Sequence, residues 1–380
     1  MNEMAYMAAR GAGRPAAPEA VAGQARSPRF RAAMLISLGL LLAGEAALQL
    51  RSYVKTGRSA WALVTSTSTF STDPHTGVKT YRPRMHTVAP GGERFDTNAL
   101  GLRSPDIPAA RVPGELRIAI AGASTVAGFY AARNEDTFAY LLERRLRAAL
   151  PGRTVNVINA GIDGYALGDI ERLLGRVVVG LKPDAVILYP GLNDMGGMCA
   201  PAARRQAQGL PLPALPQWVL SREIISKNTA ALREPPVRAA AIDPASRFPA
   251  GYRPTLARIA ASLRQAGIEP VFATVARSFK DAPRAQGLPM AQAALFYNSC
   301  LDYEGLNRAY ELFNQAIAGE ARRAQLPLLD LAALMPGGAD YFVDASHFTL
   351  KGERRAAELI EQQLGADAAL ASRLGLPAAK

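Results

Sequence analysis

Arg117-Ile-Ala-Ile-Ala-Gly-Ala-Ser-Thr125 is a short apolar run closed by a glycine, a small residue and a serine. Arg117 to Ala121 has the length and apolar character of a buried strand, and Gly122 punctuates its end. Two further runs read the same way. Val155 to Ile158 precedes Asn159-Ala160-Gly161, and Ala185 to Tyr189 precedes Gly191-Leu192-Asn193-Asp194. Helical periodicity lies between and beyond them. One helix starts at Thr137 with Phe138, Leu141, Leu142 and Leu146 on one face, and another covers about Ile170 to Val179. Thr255 to Ala266 reads as a helix leading into a strand at Val271 to Val275. A helix carrying Leu306, Tyr310, Phe313 and Ile317 leads to a last strand at Leu328 to Leu331, and a helix at about Thr349 to Leu364 follows. Five strands alternating with helices predict an α/β chain, a three-layer α/β/α sandwich on a five-stranded parallel sheet. There are no internal repeats.

Each block therefore falls where a parallel strand ends, on the rim where open α/β sheets bind ligands. Serine is a poor nucleophile without a base, and the chain has three histidines to offer: His75, His86 and His347. The first two precede the strand system. His347 lies in the last loop, three residues after Asp344. An Asp-x-x-His turn lets the carboxylate accept the Nδ1 proton and leaves Nε2 for Ser124. Backbone N–H groups of Ser124 and Gly161 and the side-chain amide of Asn193 are the candidate donors to an oxyanion. Taken singly, each block has a plainer reading: Ser124 as a helix N-cap, Gly161 and Asn193-Asp194 as turn residues, Asp344 as a loop acid. Their joint order on one rim favours acyl transfer. A phosphate cradle at Gly122 to Gly128 lacks the Lys-Ser/Thr that such loops need. No His, Cys and carboxylate set has metal-ligand spacing, so neither metal nor cofactor is implied.

These blocks, in this order, resemble the SGNH hydrolases, the superfamily that includes GDSL esterases and lipases, over about residues 115 to 366. The resemblance implies the flavodoxin-like SGNH hydrolase fold, Ser124 as nucleophile, Asp344 and His347 as its triad partners, and an oxyanion hole lined by Ser124, Gly161 and Asn193. In place of Gly-Asp-Ser-Leu the chain has Ala123 before the serine and Thr125 after it. Neither position carries the nucleophile. Asn98-Ala-Leu-Gly-Leu-Arg103 also resembles an Asn-x-x-Gly-x-Arg segment found upstream in anchored SGNH proteins.

The 380 residues suffice for one large domain and additions, and the net charge is +12. Residues 1 to 58 hold eight Arg and Lys against three Glu, and the remaining positive charge is scattered. No basic stripe is interleaved with aromatics, so nucleic-acid binding is disfavoured. Residues 1–31 read as a disordered basic leader. Residues 32–50, from Ala32 to Leu50, form an apolar stretch that spans about 28 Å as a helix, close to a bilayer core. Five arginines precede it and Arg51, Lys55 and Arg58 follow, which favours a cytoplasmic N-terminus. The long leader and the lack of a small-x-small site favour an uncleaved anchor over a cleaved signal. A buried amphipathic helix is the third option. Residues 51–114 read as a small juxtamembrane appendage with β-like runs at Val78 to Arg82 and Arg94 to Asp96, and 115–380 as the catalytic domain. Within it, about 199–250 holds eight prolines and reads as a cap over the rim or a tolerated surface loop. Its aromatics Trp218, Phe248 and Tyr252 could line an acyl pocket or pack in the core. Cys199 and Cys300 are either a disulfide closing a loop of about 100 residues or two free thiols.

The function expected is a membrane-anchored, extracytoplasmic serine esterase or acylhydrolase acting on a small-molecule, lipid or glycan ester. Two alternatives stay open: an O-acyltransferase using the same triad, with a glycan hydroxyl as acceptor, and a non-catalytic binding module on the same fold.

Overall fold

The computed structural model describes residues 28–56, 69–199 and 242–377, apart from positions 75, 89–91 and 109. The first element among the described residues is helix α1 (Pro28–Thr56), longer than the predicted stretch at both ends. Its segment Pro28–Arg51 has a mean hydropathy of 1.8 and buries none of its most apolar window against the rest of the protein. Among the described residues it is the one helix long and apolar enough to cross a membrane. Gln49 donates to Glu45 one turn earlier, so these two polar side chains satisfy each other along the helix.

Two antiparallel hairpins follow, β1 (Phe70–Thr72) with β2 (Lys79–Tyr81) and β3 (His86–Val88) with β4 (Arg94–Asp96). Then comes the parallel sheet: β5 (Leu116–Gly122), β6 (Val155–Gly161), β7 (Ala185–Tyr189), β8 (Glu269–Ala273) and β9 (Leu328–Leu329), in spatial order β6-β5-β7-β8-β9. Every pairing in it is parallel. That order reverses direction between β5 and β7, and the crevice above such a switch point is where doubly wound sheets take their ligands. All seven residues of β5 and all five of β7 are buried, as expected for central strands covered on both faces. Helices α2 (Ser124–Ala127), α3 (Phe138–Ala149), α4 (Leu167–Leu173), α5 (Tyr252–Gln265), α6 (Arg284–Tyr297), α7 (Tyr303–Arg323), α8 (Leu331–Leu334), α9 (Leu350–Ala366) and α10 (Ala368–Leu374) complete the layers. α3 packs with α9, whereas α5 packs with α4 and α7. The three-layer α/β/α prediction stands.

Element boundaries moved for identifiable reasons. β6 runs three residues past Ile158, because Asn159, Ala160 and Gly161 stay in register with Ile120, Ala121 and Gly122. β8 starts two residues before Val271, with Glu269 at its N-terminal end bonded to Arg373. β9 stops at Leu329, since Asp330 turns away to cap α8 through Ala333 N. The helix expected from Ile170 to Val179 begins at Leu167, and beyond Leu173 it continues as a π-helical turn from Leu174 to Val178. α6 escaped the periodicity because Pro289 sits inside it and Gly287 and Ala291 are its only buried residues.

Cys199 and Cys300 are disulfide-bonded across 101 residues, with Cα atoms 5.4 Å apart. Residues 200–241, with Trp218 and most of the predicted cap, lie outside the described residues. Phe248 and Tyr252 pack in the core against Phe313, at ring distances of 4.9 and 4.7 Å.

Candidate active site

Gly122 ends β5 and Ala123 is the N-cap of α2, so Ser124 is the first helical residue and caps nothing. A Cβ at Gly122 would stand 2.2 Å from the Tyr189 carbonyl oxygen, which is why the turn needs glycine there. Freed from capping, the Ser124 hydroxyl lies 2.8 Å from Nε2 of His347. Nδ1 of the same ring lies 2.7 Å from Oδ2 of Asp344 and 2.9 Å from Oδ1. Asp344 also accepts the backbone N–H groups of Ser346 and His347 at 3.0 and 2.9 Å. Burial alone would raise the Asp344 carboxyl, but the imidazole and the two N–H bonds outweigh it and hold it below the usual carboxylate range.

The loop bearing this pair is clamped at both ends. Phe342 and Phe348 form an antiparallel bridge, and Thr349 caps α9 by accepting Gly352 N. Thr125 turns its hydroxyl to the Ser346 carbonyl at 3.4 Å. Phe129 and Tyr130 flank the imidazole, with ring centroids 5.2 and 5.6 Å from it. A cleft of about 200 Å³ above the switch point is lined by Ser124, Gly191, Leu192, Asn193, Tyr297 and His347, among others.

Asn193 borders this cleft, and its Nδ2 donates to the Tyr165 carbonyl at 2.9 Å. That bond uses one amide hydrogen and orients the other. Asp194 next to it accepts Leu167 N at 2.8 Å, so the third block is stitched to the turn that follows the second. Burial pushes the Asp194 carboxyl up, opposed by that backbone bond.

Gly161 departs from expectation. Its N–H donates to Asn159 Oδ1 at 3.0 Å, while Asn159 Nδ2 donates to the Val126 carbonyl at 2.8 Å. A Cβ on Gly161 would stand 2.2 Å from Ala127 N, so this glycine lets α2 lie against β6. Its N–H is spent inside the structure. Three residues on, Gly164 has φ +78° with open space around its Cα, and its N–H has no acceptor among the described residues. It directly precedes Tyr165, whose carbonyl holds Asn193. Its one signal in the sequence is its place, a glycine in the turn between β6 and α4.

Of the other histidines, His86 sits on the β3–β4 hairpin, 76% exposed and 3.0 Å from Asp96. His75 lies outside the described residues. Among the described residues, no group of three or more His, Cys, Asp and Glu is arranged to hold a metal ion.

Among solved structures, the chain is similar to a lipase/acylhydrolase from Enterococcus faecalis (18% identity, 66% of this chain and 95% of that one, TM-score 0.39). It is similar to an α/β hydrolase enzyme from the metagenome of Lake Arreo, Spain (16%, 68% and 95%, TM-score 0.41). It is also similar to a catalytic mutant of an acetylxylan esterase from Geobacillus stearothermophilus (14%, 66% and 94%, TM-score 0.41). No curated protein matches it. The model of the GDSL-like lipase/acylhydrolase family matches residues 120–355, from within β5 to the first turns of α9. That match covers well over half of the sequence and takes in all four rim blocks, and the chain belongs to the GDSL-like lipase/acylhydrolase family.

Proposed function

We propose that this protein is a serine ester hydrolase working through an acyl-enzyme, anchored by α1 with its catalytic domain outside the cytoplasm. The observation that carries the reading is the chain of contacts from Ser124 Oγ to His347 Nε2 at 2.8 Å and from His347 Nδ1 to Asp344 at 2.7 Å. Asp344 keeps the proton on Nδ1, so the Nε2 lone pair faces the hydroxyl. Ser124 Oγ attacks the ester carbonyl carbon while its proton passes to Nε2. The tetrahedral oxyanion is held by the Ser124 N–H, the free amide hydrogen of Asn193 and the N–H of Gly164, which takes the part first expected of Gly161. As the intermediate collapses, the alcohol leaves with the proton from Nε2. Water, deprotonated by the same imidazole, then releases the acid and restores Ser124.

The apolar, uncovered face of α1 supports anchoring, and the arginines before it support a cytoplasmic N-terminus. The Cys199–Cys300 disulfide supports an oxidising compartment for the catalytic domain.

The test is fluorophosphonate labelling of the full chain beside turnover of short and long p-nitrophenyl esters and acetylated glycans. Wild-type protein should label and release free acid, and Ser124→Ala should do neither while keeping its fold. Labelling of Ser124→Ala at the wild-type rate would remove Ser124 from the role. Acyl groups recovered on a glycan hydroxyl instead of in water would make the protein a transferase. Protease added to the extracytoplasmic side of the membrane should digest the catalytic domain, and protection there would reverse the orientation.

A further inference from the structure

The Asn-x-x-Gly-x-Arg segment plays no part in the chemistry above, yet the structure sends it into the back of the site. Asn98 Oδ1 accepts Leu100 N and Leu102 N at 2.9 and 3.0 Å, closing a tight turn. Gly101 in that turn has φ +71°, and a Cβ there would stand 2.0 Å from the Tyr81 carbonyl oxygen. Asparagine and glycine thus build a bend that seats against β2 and delivers Arg103 inward. Arg103 is 2% exposed.

Its guanidinium ends on oxygens alone. Nη1 donates to the carbonyls of Ala127 and Gly128 at 3.0 and 2.5 Å. Nη2 donates to those of Ala131 and Arg94 at 3.0 and 3.3 Å. Nε donates to Asn134 Oδ1 at 3.0 Å, and the face of the group lies 4.5 Å from the Phe95 ring centroid. Three of these carbonyls bracket one bend. Ala127 ends the four-residue helix that Ser124 begins, and Gly128 and Ala131 enclose Phe129 and Tyr130, the two rings beside His347. A planar fork can satisfy several diverging carbonyls at fixed angles, whereas an ammonium acts as a point charge. A buried cation aimed at the carbonyl end of α2 is also favourably placed, and removing it would strand those carbonyls.

We propose that Arg103 is a positioning residue for the reaction: by fixing the Ala127–Ala131 bend it sets Ser124 at one end and holds Phe129 and Tyr130 against His347. The proposal rests on Ser124 and His347 being the reacting pair. It makes the appendage a working part of the active site and gives the Asn-x-x-Gly-x-Arg segment its purpose.

The test measures kcat, KM and thermal midpoint of the full chain in detergent with p-nitrophenyl acetate. Arg103→Lys should lose about ten- to hundred-fold in kcat with KM changed less than about two-fold, as expected when reacting groups are misaligned and binding is not. Arg103→Ala should recover part of its kcat on adding millimolar guanidinium, which a general loss of packing would not permit. Phe129→Ala should lower kcat by itself, and its combination with Arg103→Lys should lose less than the product of the two single losses. Arg103→Lys with wild-type kcat would overturn the proposal, as would a loss that tracks the unfolded fraction and ignores guanidinium. Should neither Arg103 variant fold, the exposed Phe129 decides: full activity of Phe129→Ala overturns the proposal, and a kcat loss at constant KM upholds it. An active Ser124→Ala would instead overturn the reading of the reacting pair. Inactive Ser124→Ala beside fully active Arg103→Lys would overturn the brace alone.

Discussion

Asp344 grips His347 at two places, taking the ring Nδ1 at 2.7 Å and the backbone N–H at 2.9 Å. Three residues of chain therefore fix both the orientation of the imidazole and the path of the loop that carries it. The carboxylate is held in its ionised form by the same bonds.

Asp344→Asn should keep the loop, because an amide oxygen can still accept the two backbone N–H groups. It turns an acceptor into a possible donor at Nδ1, favouring the wrong tautomer. A drop in kcat of about 10³–10⁴-fold with little change in the far-ultraviolet spectrum is expected. A loss smaller than about tenfold would place the orienting group elsewhere.

Asn193→Ala should lower kcat by about 10²–10³-fold with a smaller effect on KM, since the bond to the oxyanion forms mainly in the transition state. Asn193→Asp should fare no better, because it sets a carboxylate against both the Tyr165 carbonyl and the developing charge. Unchanged kcat at saturating substrate in Asn193→Ala would remove it from the site.

Glu353 supplies a pH dependence of stability. Burial raises its carboxyl to about 8, opposed by the Phe138 N–H it accepts. A carboxyl raised on folding binds its proton more tightly in the native state. Native stability should therefore fall as pH rises from the unfolded value near 4.5 through about 8. Glu353→Gln keeps an acceptor for Phe138 N and has no proton to lose. It should flatten the decline and be more stable at pH 8, by on the order of a few kcal/mol. Urea melts at several pH values decide it, and parallel curves for the two proteins would refute the assignment.

The disulfide predicts its own signature. Denatured without reductant, the protein should take up no maleimide, and Cys300→Ser should lose up to about 4–5 kcal/mol of stability in the loop-entropy model. Two labelled thiols in the untreated protein would mean that the bond is not formed.

The five strands and their parallel type were legible because buried parallel strands read as short apolar runs alternating with helices. As candidates, Ser124, Asp344 and His347 were legible because histidine is scarce and Asp-x-x-His is local. The setting of Gly161 was not legible, for a reason of geometry. A glycine at a strand end can serve close packing or free an N–H, and only the contacts with Asn159 and Ala127 decide which.

What the sequence by itself determined is whatever depends on neighbours along the chain: the strands and helices, the blocks at the strand ends, the apolar helix and the Asp344–His347 turn. Tertiary structure alone decided what depends on contacts between distant segments. It paired Cys199 with Cys300 across 101 residues and brought Ser124 to His347 across 223. It also carried Arg103 to carbonyls more than 20 residues further along the chain. Periodicity reports which face a residue presents to the core, whereas the partner it meets there is set by how the layers close. The same composition of residues is compatible with many such closures, and packing selects one.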